Sequence, residues 1–313
     1  MFADVKEFFG IESDEALYDK LTKAIKENNT IEAKKLIEKI KNTELFNKAN
    51  ASHNTLLHSA IEQGLEEVSE ILISKMSNDA INIIEKYVLS GEQKGETYLT
   101  LLASKGFGKA CEMLIPRMSN ETINTITKTN NTALTLAADK KLPEVCKKLI
   151  PRMSNNAINI IDNKLIDNKH KDSALKKAIR NDMDEVAQML ISSTYDNNIY
   201  VIDKYSEDTL LITAAKKGMK TVCKMLISRM PLELINHINK AGDTAASVAA
   251  ASISSKDTEN FKEVFDLLQE KQEEFLKITT ITKQNIENSL KDLESVFNNN
   301  KKHWMFYLRR YKS

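Results

Sequence analysis

The sequence predicts an all-α fold, a helical-repeat solenoid of about seven units with a C-terminal helical extension. Three observations predict it. A unit of two amphipathic helices recurs at intervals of 35 to 42 residues, each copy opens on a residue suited to cap a helix, and 313 residues hold only 8 Gly and 4 Pro. So few turn formers argue against a strand-rich protein. In such arrays each unit buries its apolar face only against its neighbours, so stability accumulates along the stack.

Residues 54–75, NTLLHSAIEQGLEEVSEILISK, show the unit most completely. Thr55 stands at the N-cap, Leu57, Ala60 and Ile61 share one helical face, and Gly64 can end that helix in the left-handed conformation. Val68, Ile71 and Leu72 then mark a second helix. Equivalent caps fall at Asp19, Thr97, Thr132, Ser173, Thr209 and Thr244. Two residues on come Leu21, Leu57, Leu99, Leu134, Leu175 and Leu211, with Ala246 the weak member. Five after the cap, Ala24, Ala60, Leu102, Ala137, Ala178, Ala214 and Ala249 allow close helix approach. The second helices end on Leu36, Leu72, Leu114, Leu149, Leu190, Leu226 and Leu267.

Cys111, Cys146 and Cys223 each precede that leucine by three residues, where other units carry Ala33, Ser69 and Ala187. They read as small core residues in a reducing compartment, without the short Cys/His spacing of a zinc site. With 42% hydrophobic and 28% charged residues and a net charge of +1, composition gives no case for nucleic acid. The opening MFADVKEFFGIESDEALYDK has early acids and no apolar core, so no secretory signal peptide is expected. No apolar run approaches the roughly 18 residues of a membrane span. P-loop, G-x-G-x-x-G, H-E-x-x-H and G-x-S-x-G motifs are lacking, so no enzyme, cofactor or metal is expected.

TLLHSAIEQG resembles the T-P-L-H-x-A-x-x-x-G opening of an ankyrin repeat, and Ile235-Asn236 through Gly242 to Thr244 resembles the family's V-N-x-x-D-x-x-G-x-T junction. Ile123-Asn124 to Thr132 keeps the same spacing with Asn130 replacing the glycine. The resemblance covers roughly residues 16–269 and implies a protein-binding scaffold. Departures are systematic: Leu56, Tyr98, Ala133, Ala174, Leu210 and Ala245 replace the motif's proline. Met-Ser-Asn at 76–78, 118–120 and 153–155 predicts an extra helical turn before each junction, a pattern that resembles divergent ankyrin proteins of intracellular bacteria. Tetratricopeptide and pentatricopeptide arrays share the period but not these signatures.

Two junctions are longer than the rest: residues 88–96 (VLSGEQKGE) and 163–172 (NKLIDNKHKD). They read either as loops bracketing a binding surface, through Val88, Leu89, Glu92, Lys94, Lys164, Asp167, Lys169 and His170, or as tolerated insertions. Arg117, Arg152 and Arg229, each before a Met, read as cations at helix C-termini beside a packed side chain. His58 reads as part of a hydrogen-bonded turn, and Asp182, Asp184 and Glu185 as acids starting a helix.

Three segments follow: a lead-in over 1–15, the solenoid over 16–271, and a helical tail over 272–313. Phe261, Val264, Phe265 and Leu268 form the closing face, and Ile286, Leu290, Leu293 and Phe297 a further stripe. The end, KKHWMFYLRRYKS, has five Lys/Arg and no acid. Its Lys301, Lys302, Trp304, Tyr307, Arg309 and Arg310 suit an anionic membrane surface or acidic partner; the tail also reads as a cap on the stack or an export signal. The sequence thus predicts a non-enzymatic, monomeric scaffold binding a protein of unknown identity, cytoplasmic or secreted into a host cell as an effector. A membrane or nucleic-acid adaptor working through the basic tail is the alternative.

Overall fold

The computed structural model describes residues 12–49, 55–83, 85–89, 92–162, 172–253 and 258–310. Among them are seven helix pairs. The first helices are α1 (Asp14–Lys26), α3 (Leu56–Glu62), α6 (Tyr98–Lys105), α9 (Ala133–Asp139), α12 (Ala174–Arg180), α15 (Leu210–Lys216) and α18 (Ala245–Ile253). Their partners are α2 (Thr30–Lys39), α4 (Glu66–Lys75), α7 (Gly108–Leu114), α10 (Pro143–Leu149), α13 (Asp184–Ser193), α16 (Lys220–Ile227) and the long α19 (Thr258–Arg310). Short helices α5 (Asn78–Ile81), α8 (Asn120–Ile123), α11 (Asn155–Ile158), α14 (Asp196–Ile199) and α17 (Leu232–Ile235) follow five of the second helices.

Caps set where each first helix begins. The hydroxyls of Thr55, Thr97, Thr132, Ser173, Thr209 and Thr244 accept from the backbone N–H three residues on, as the sequence predicts. Thr100 and Thr135 return the bond to complete capping boxes. The first unit departs from the pattern. Asp19 lies inside α1, which starts at Asp14 with Ser13 as its cap. Asp14 and Glu15 in its first turn favour this earlier start.

Six of the seven first helices then stop on a left-handed residue: Asn28, Gly64, Gly106, Lys141, Asp182 or Gly218. The following N–H bonds back to the carbonyl of Ala24, Ala60, Leu102, Ala137, Ala178 or Ala214, closing a Schellman turn that reverses the chain into the second helix. At Gly218 a side chain is disfavoured twice over, by φ +67° and by the Phe261 ring, 3.1 Å from where a Cβ would stand.

The repeated leucines Leu21, Leu57, Leu99, Leu134, Leu175 and Leu211 are buried in one continuous core with the alanines that let neighbouring helices meet. Cys111, Cys146 and Cys223 are fully buried in it, like Ala33, Ser69 and Ala187. Burial pushes the Cys146 and Cys223 thiols up to about 12 and Cys111 higher still.

Polar ladders join unit to unit behind this core. Ser77, Ser119 and Ser154 cap the short helices with their hydroxyls, the extra turn predicted from Met-Ser-Asn. Their backbone N–H groups donate to Asn47, Asn82 and Asn124 of the preceding unit at 3.0, 2.7 and 2.7 Å, and Tyr195 N–H donates likewise to Asn159. One rung is changed on both sides. Pro231 has no N–H to donate, and Tyr200 replaces the asparagine, its hydroxyl donating instead to Arg229 O at 2.8 Å.

Arginines reinforce the ladder. Arg117 donates to the carbonyls of Ile73 and Met76, Arg152 to those of Ile115 and Met118, and Arg229 to those of Ile191 and Thr194. Each guanidinium therefore neutralises the carbonyl end of the preceding unit's second helix, one unit back from where sequence places it. Met76, Met118, Met153 and Met230 pack beside it, buried. Exposed pairs such as Lys148–Glu112 and Lys109–Glu70, both 2.5 Å, cross the second helices but contribute little in water.

Two outcomes follow. Arg152→Met is expected to lower the urea-unfolding free energy by about 1.5–3 kcal/mol, against about 0–1 kcal/mol for Lys148→Met. In mildly alkaline buffer, a thiol reagent should leave all three cysteines unmodified in the folded chain and label all three after unfolding.

Candidate partner-binding surface

Fingers connect the units on the side of the first helices. The described residues of 88–96, expected as a loop, are strand: β1 (Glu85–Leu89) pairs antiparallel with β2 (Glu92–Glu96), placing Val88 opposite Gln93, Leu89 opposite Glu92 and Tyr87 opposite Lys94. Gly95 N–H, bonded to Ile126 O at 3.0 Å, ties this hairpin to the next finger. The second long junction is anchored by β3 (Ile161–Asp162) and β4 (Asp172–Ser173). Lys164, Asp167, Lys169 and His170 lie outside the described residues. Backbone around Lys301, Lys302, Trp304, Tyr307, Arg309 and Arg310 is helical, within α19.

Shorter fingers are fixed by a side chain at their first turn. Asp203 accepts from the N–H groups of Tyr205 and Ser206, and Asn239 from those of Ala241 and Asp243. Asn130 and Gly242 take positive φ at equivalent places, as the junction pattern implied. Finger-to-finger bonds run from Asn130 Nδ2 to Ile161 O and from Lys240 N to Ser206 O. Tyr98, at a missing proline, bonds through its hydroxyl to Thr55 of the preceding unit at 2.8 Å.

The first helices contribute one open turn each. Four residues after the cap, Ser59, Leu101, Leu136 and Thr213 are half-buried while Lys177 is buried; seven after it come Glu62, Ser104, Asp139, Arg180 and Lys216. Units three and four thus offer one half-buried leucine each, on first helices that pack on each other. Units four to six offer ordered charge. Arg180 donates to Asp172 at 2.6 Å, and Lys216 pairs with Asp208 in the same relation one unit on, also 2.6 Å. Arg180 also reaches Asp139, 3.3 Å away in the preceding unit.

Lys176 lies at the centre, 2.7 Å from both Asp172 Oδ1 and Asp203 Oδ2. Burial opposes ionisation of these groups, but their mutual charges override it. Lys176 and Arg180 hold the Asp172 carboxyl below its usual range, Lys176 and the finger N–H groups do so for Asp203, and the two acids hold Lys176 above its own.

These features define a helical-repeat scaffold of paired helices joined by β fingers. The chain belongs to the ankyrin-repeat family: it is 54% identical over 268 residues to an ankyrin repeat protein of Rickettsia bellii (strain RML369-C), a match covering 84% of this chain and 66% of that protein. An ankyrin repeat protein of Rickettsia felis is 51% identical over 96 residues, 27% of this chain and 30% of its own length. Structural similarity extends to the ankyrin repeat domain of Bcl-3, at 19% identity and TM-score 0.43 over 80% of this chain and 97% of that one. An ankyrin repeat protein from Leishmania major gives 17% identity and TM-score 0.45 over 84% and 99%. No family model matches the chain. Among the described residues, no helix is long and apolar enough to cross a membrane, and no cluster of three metal-ligating side chains occurs.

The carboxyls of Asp172 and Asp203 sit below their unfolded values, so their stabilisation is full above about pH 4 and is lost as pH falls. The ammonium shift of Lys176 acts in the opposite direction, lost only as pH rises beyond about 10. Asp203→Asn should therefore lower the urea midpoint at neutral pH, and the difference from wild type should shrink in strong acid.

Proposed function

We propose that this chain is a non-enzymatic scaffold that docks a protein partner on the finger-side face of units three to six. The observation that carries the reading is the pair Leu101 and Leu136, both half-buried on the successive first helices α6 and α9, which pack on each other. Apolar side chains flanked by fixed charge are the composition of an interface centre and its rim. Because ladders on both sides hold the units, little ordering entropy is lost when a partner docks.

Charges on the adjoining units are already paired within the chain, so they favour register over bulk attraction. A complementary partner would offer an apolar anchor over Leu101 and Leu136 and polar groups to the Asp139–Arg180–Asp172 row. Kinship with Rickettsia proteins supports an effector that meets its partner in a host cell. The loops carrying Val88, Leu89, Glu92, Lys94 and Lys164 to His170 would frame this surface. The basic tail from Lys301 to Arg310 would serve as an export address or second contact.

Capture from host-cell lysate tests the assignment, using the full chain and a Leu101→Gln/Leu136→Gln variant at low and high salt. Partner recovery should fall at least about tenfold in the variant at both salts. Thermal unfolding should confirm that the variant remains folded. Equal recovery by both chains, or recovery abolished by salt alone, would move binding to the charged tail and sink the proposal.

A further inference from the structure

Past the stack, Leu276, Ile281, Ile286 and Leu290 of α19 are more than half exposed, so residues 272–291 do not fold back as the cap read from sequence. Val264 and Leu268, buried where α19 packs on the last units, close it instead. The open turns of units five and six carry a different kind of surface, polar and held in place, whose charges are layered by depth.

Arg180 and Lys216 occupy one position in the repeat, seven residues after the caps of α12 and α15. Each reaches a carboxylate eight residues back, Asp172 or Asp208, at 2.6 Å. In both pairs the acid is the deeper partner: the side chain is 9% exposed at Asp172 and 13% at Asp208, against 46% at Arg180 and 41% at Lys216. Lys176 adds to the lower layer, pairing with Asp172 and Asp203. A carboxylate approaching this face therefore meets a guanidinium or an ammonium first, whereas an approaching cation finds the acids covered.

Both cations retain hydrogen-bond capacity. Among the described residues Arg180 uses two of its five N–H donors, on Asp172 and on Asp139 at 3.3 Å, and Lys216 uses one of three. The chain already holds them, so a charge-assisted bond from either costs little ordering. Helix α12 packs on α15, which separates the two positions by about 8–10 Å. Seven residues of a helix rise about 10.5 Å and return to the same face, while an extended chain covers that span in about three residues and points the third away. Lys176, Lys177, Arg180 and Lys216 are matched in number by Asp139, Asp172, Asp203 and Asp208. With no net charge, the cluster suits a singly charged carboxylate better than a dianionic phosphate.

We propose that the protein partner meets units five and six with two carboxylates on one face of a helix, about seven residues apart, one on Arg180 and one on Lys216. The assignment rests on the docking face proposed above and extends it. Leu101 and Leu136 take the partner's apolar anchor, and the two cations receive its acidic end, which sets its direction along the file.

The test titrates a labelled helical peptide into the full chain by fluorescence anisotropy. Successive heptad positions of the peptide carry Leu, Leu, Glu and Glu, and further versions replace both Glu by Gln, Lys or phosphoserine. The Glu version should bind at least about tenfold tighter than the Gln version. Arg180→Gln with Lys216→Gln should abolish that preference and leave the affinity of the Gln version unchanged. Asp172 keeps Lys176 and Asp208 keeps Asn239 in this variant, and thermal unfolding checks that it stays folded. Leu101→Gln with Leu136→Gln should weaken the Glu and Gln versions alike. Equal affinity for the two, including no binding of either, overturns the proposal, as does tighter binding of the Lys or phosphoserine version or a Glu preference that survives the Arg180/Lys216 change. Lysate capture that still depends on Leu101 and Leu136 would then leave the docking face standing without its acidic partner.

Discussion

The asparagine that ends four of the five short helices is the hinge of this architecture. Asn82 accepts from Ser119 N–H of the next unit while its amide donates to Arg117 O, so one side chain satisfies a donor and an acceptor that helix ends leave open. Asn159 makes the same two bonds, to Tyr195 N–H and Ser193 O. These bonds are directional where core packing is not, and they fix how far each unit is translated from the last. Arginine then closes the carbonyl end beside them. The concerted change at Tyr200 and Pro231 shows the constraint from the other side: when the donor is removed, its acceptor is exchanged for a hydroxyl that still serves the remaining carbonyl.

Regular spacing is what makes a surface out of separate helices. With the rear of each unit pinned, the open turns of α6, α9, α12 and α15 come into file, and the fingers lock to one another through backbone bonds such as Gly95 to Ile126. Leu101 and Leu136 become neighbours only because of that file. So do Asp139 and Arg180, which are 41 residues apart in sequence. Charge on this face is held in pairs by the chain itself, so the face presents geometry more than net potential.

Much of the fold was legible because its determinants are local. Thr55, Thr97 and Thr132 cap helices through bonds spanning three residues, and Gly64 and Asn130 take the left-handed conformation their types allow. The first unit was misplaced because its cap, Ser13, breaks the spacing that identified the others. Arg117, Arg152 and Arg229 were correctly read as helix-end cations, but their targets lie in the preceding unit, a relation set by packing. The pairing of residues 85–89 with 92–96 escaped because EQKG is weak strand sequence, held here by that pairing and by its bond to the next finger. In the charged row, Asp172, Lys176 and Arg180 stand four residues apart around the start of α12 and could have been found; Asp203, from another finger, could not.

If inter-unit side-chain bonds set the spacing, exposed amides at the unit boundary must be protected from solvent exchange. Ser119 and Ser154 are the deciding sites, because both residues are exposed while their N–H groups each donate to an asparagine at 2.7 Å. Residue-resolved hydrogen exchange on the native chain is the direct measurement. The account predicts that both amides exchange as slowly as those within α7 and α10, and that Asn82→Ala releases Ser119 while Asn124→Ala releases Ser154. Exchange of both amides at open-chain rates in the unaltered protein would contradict it.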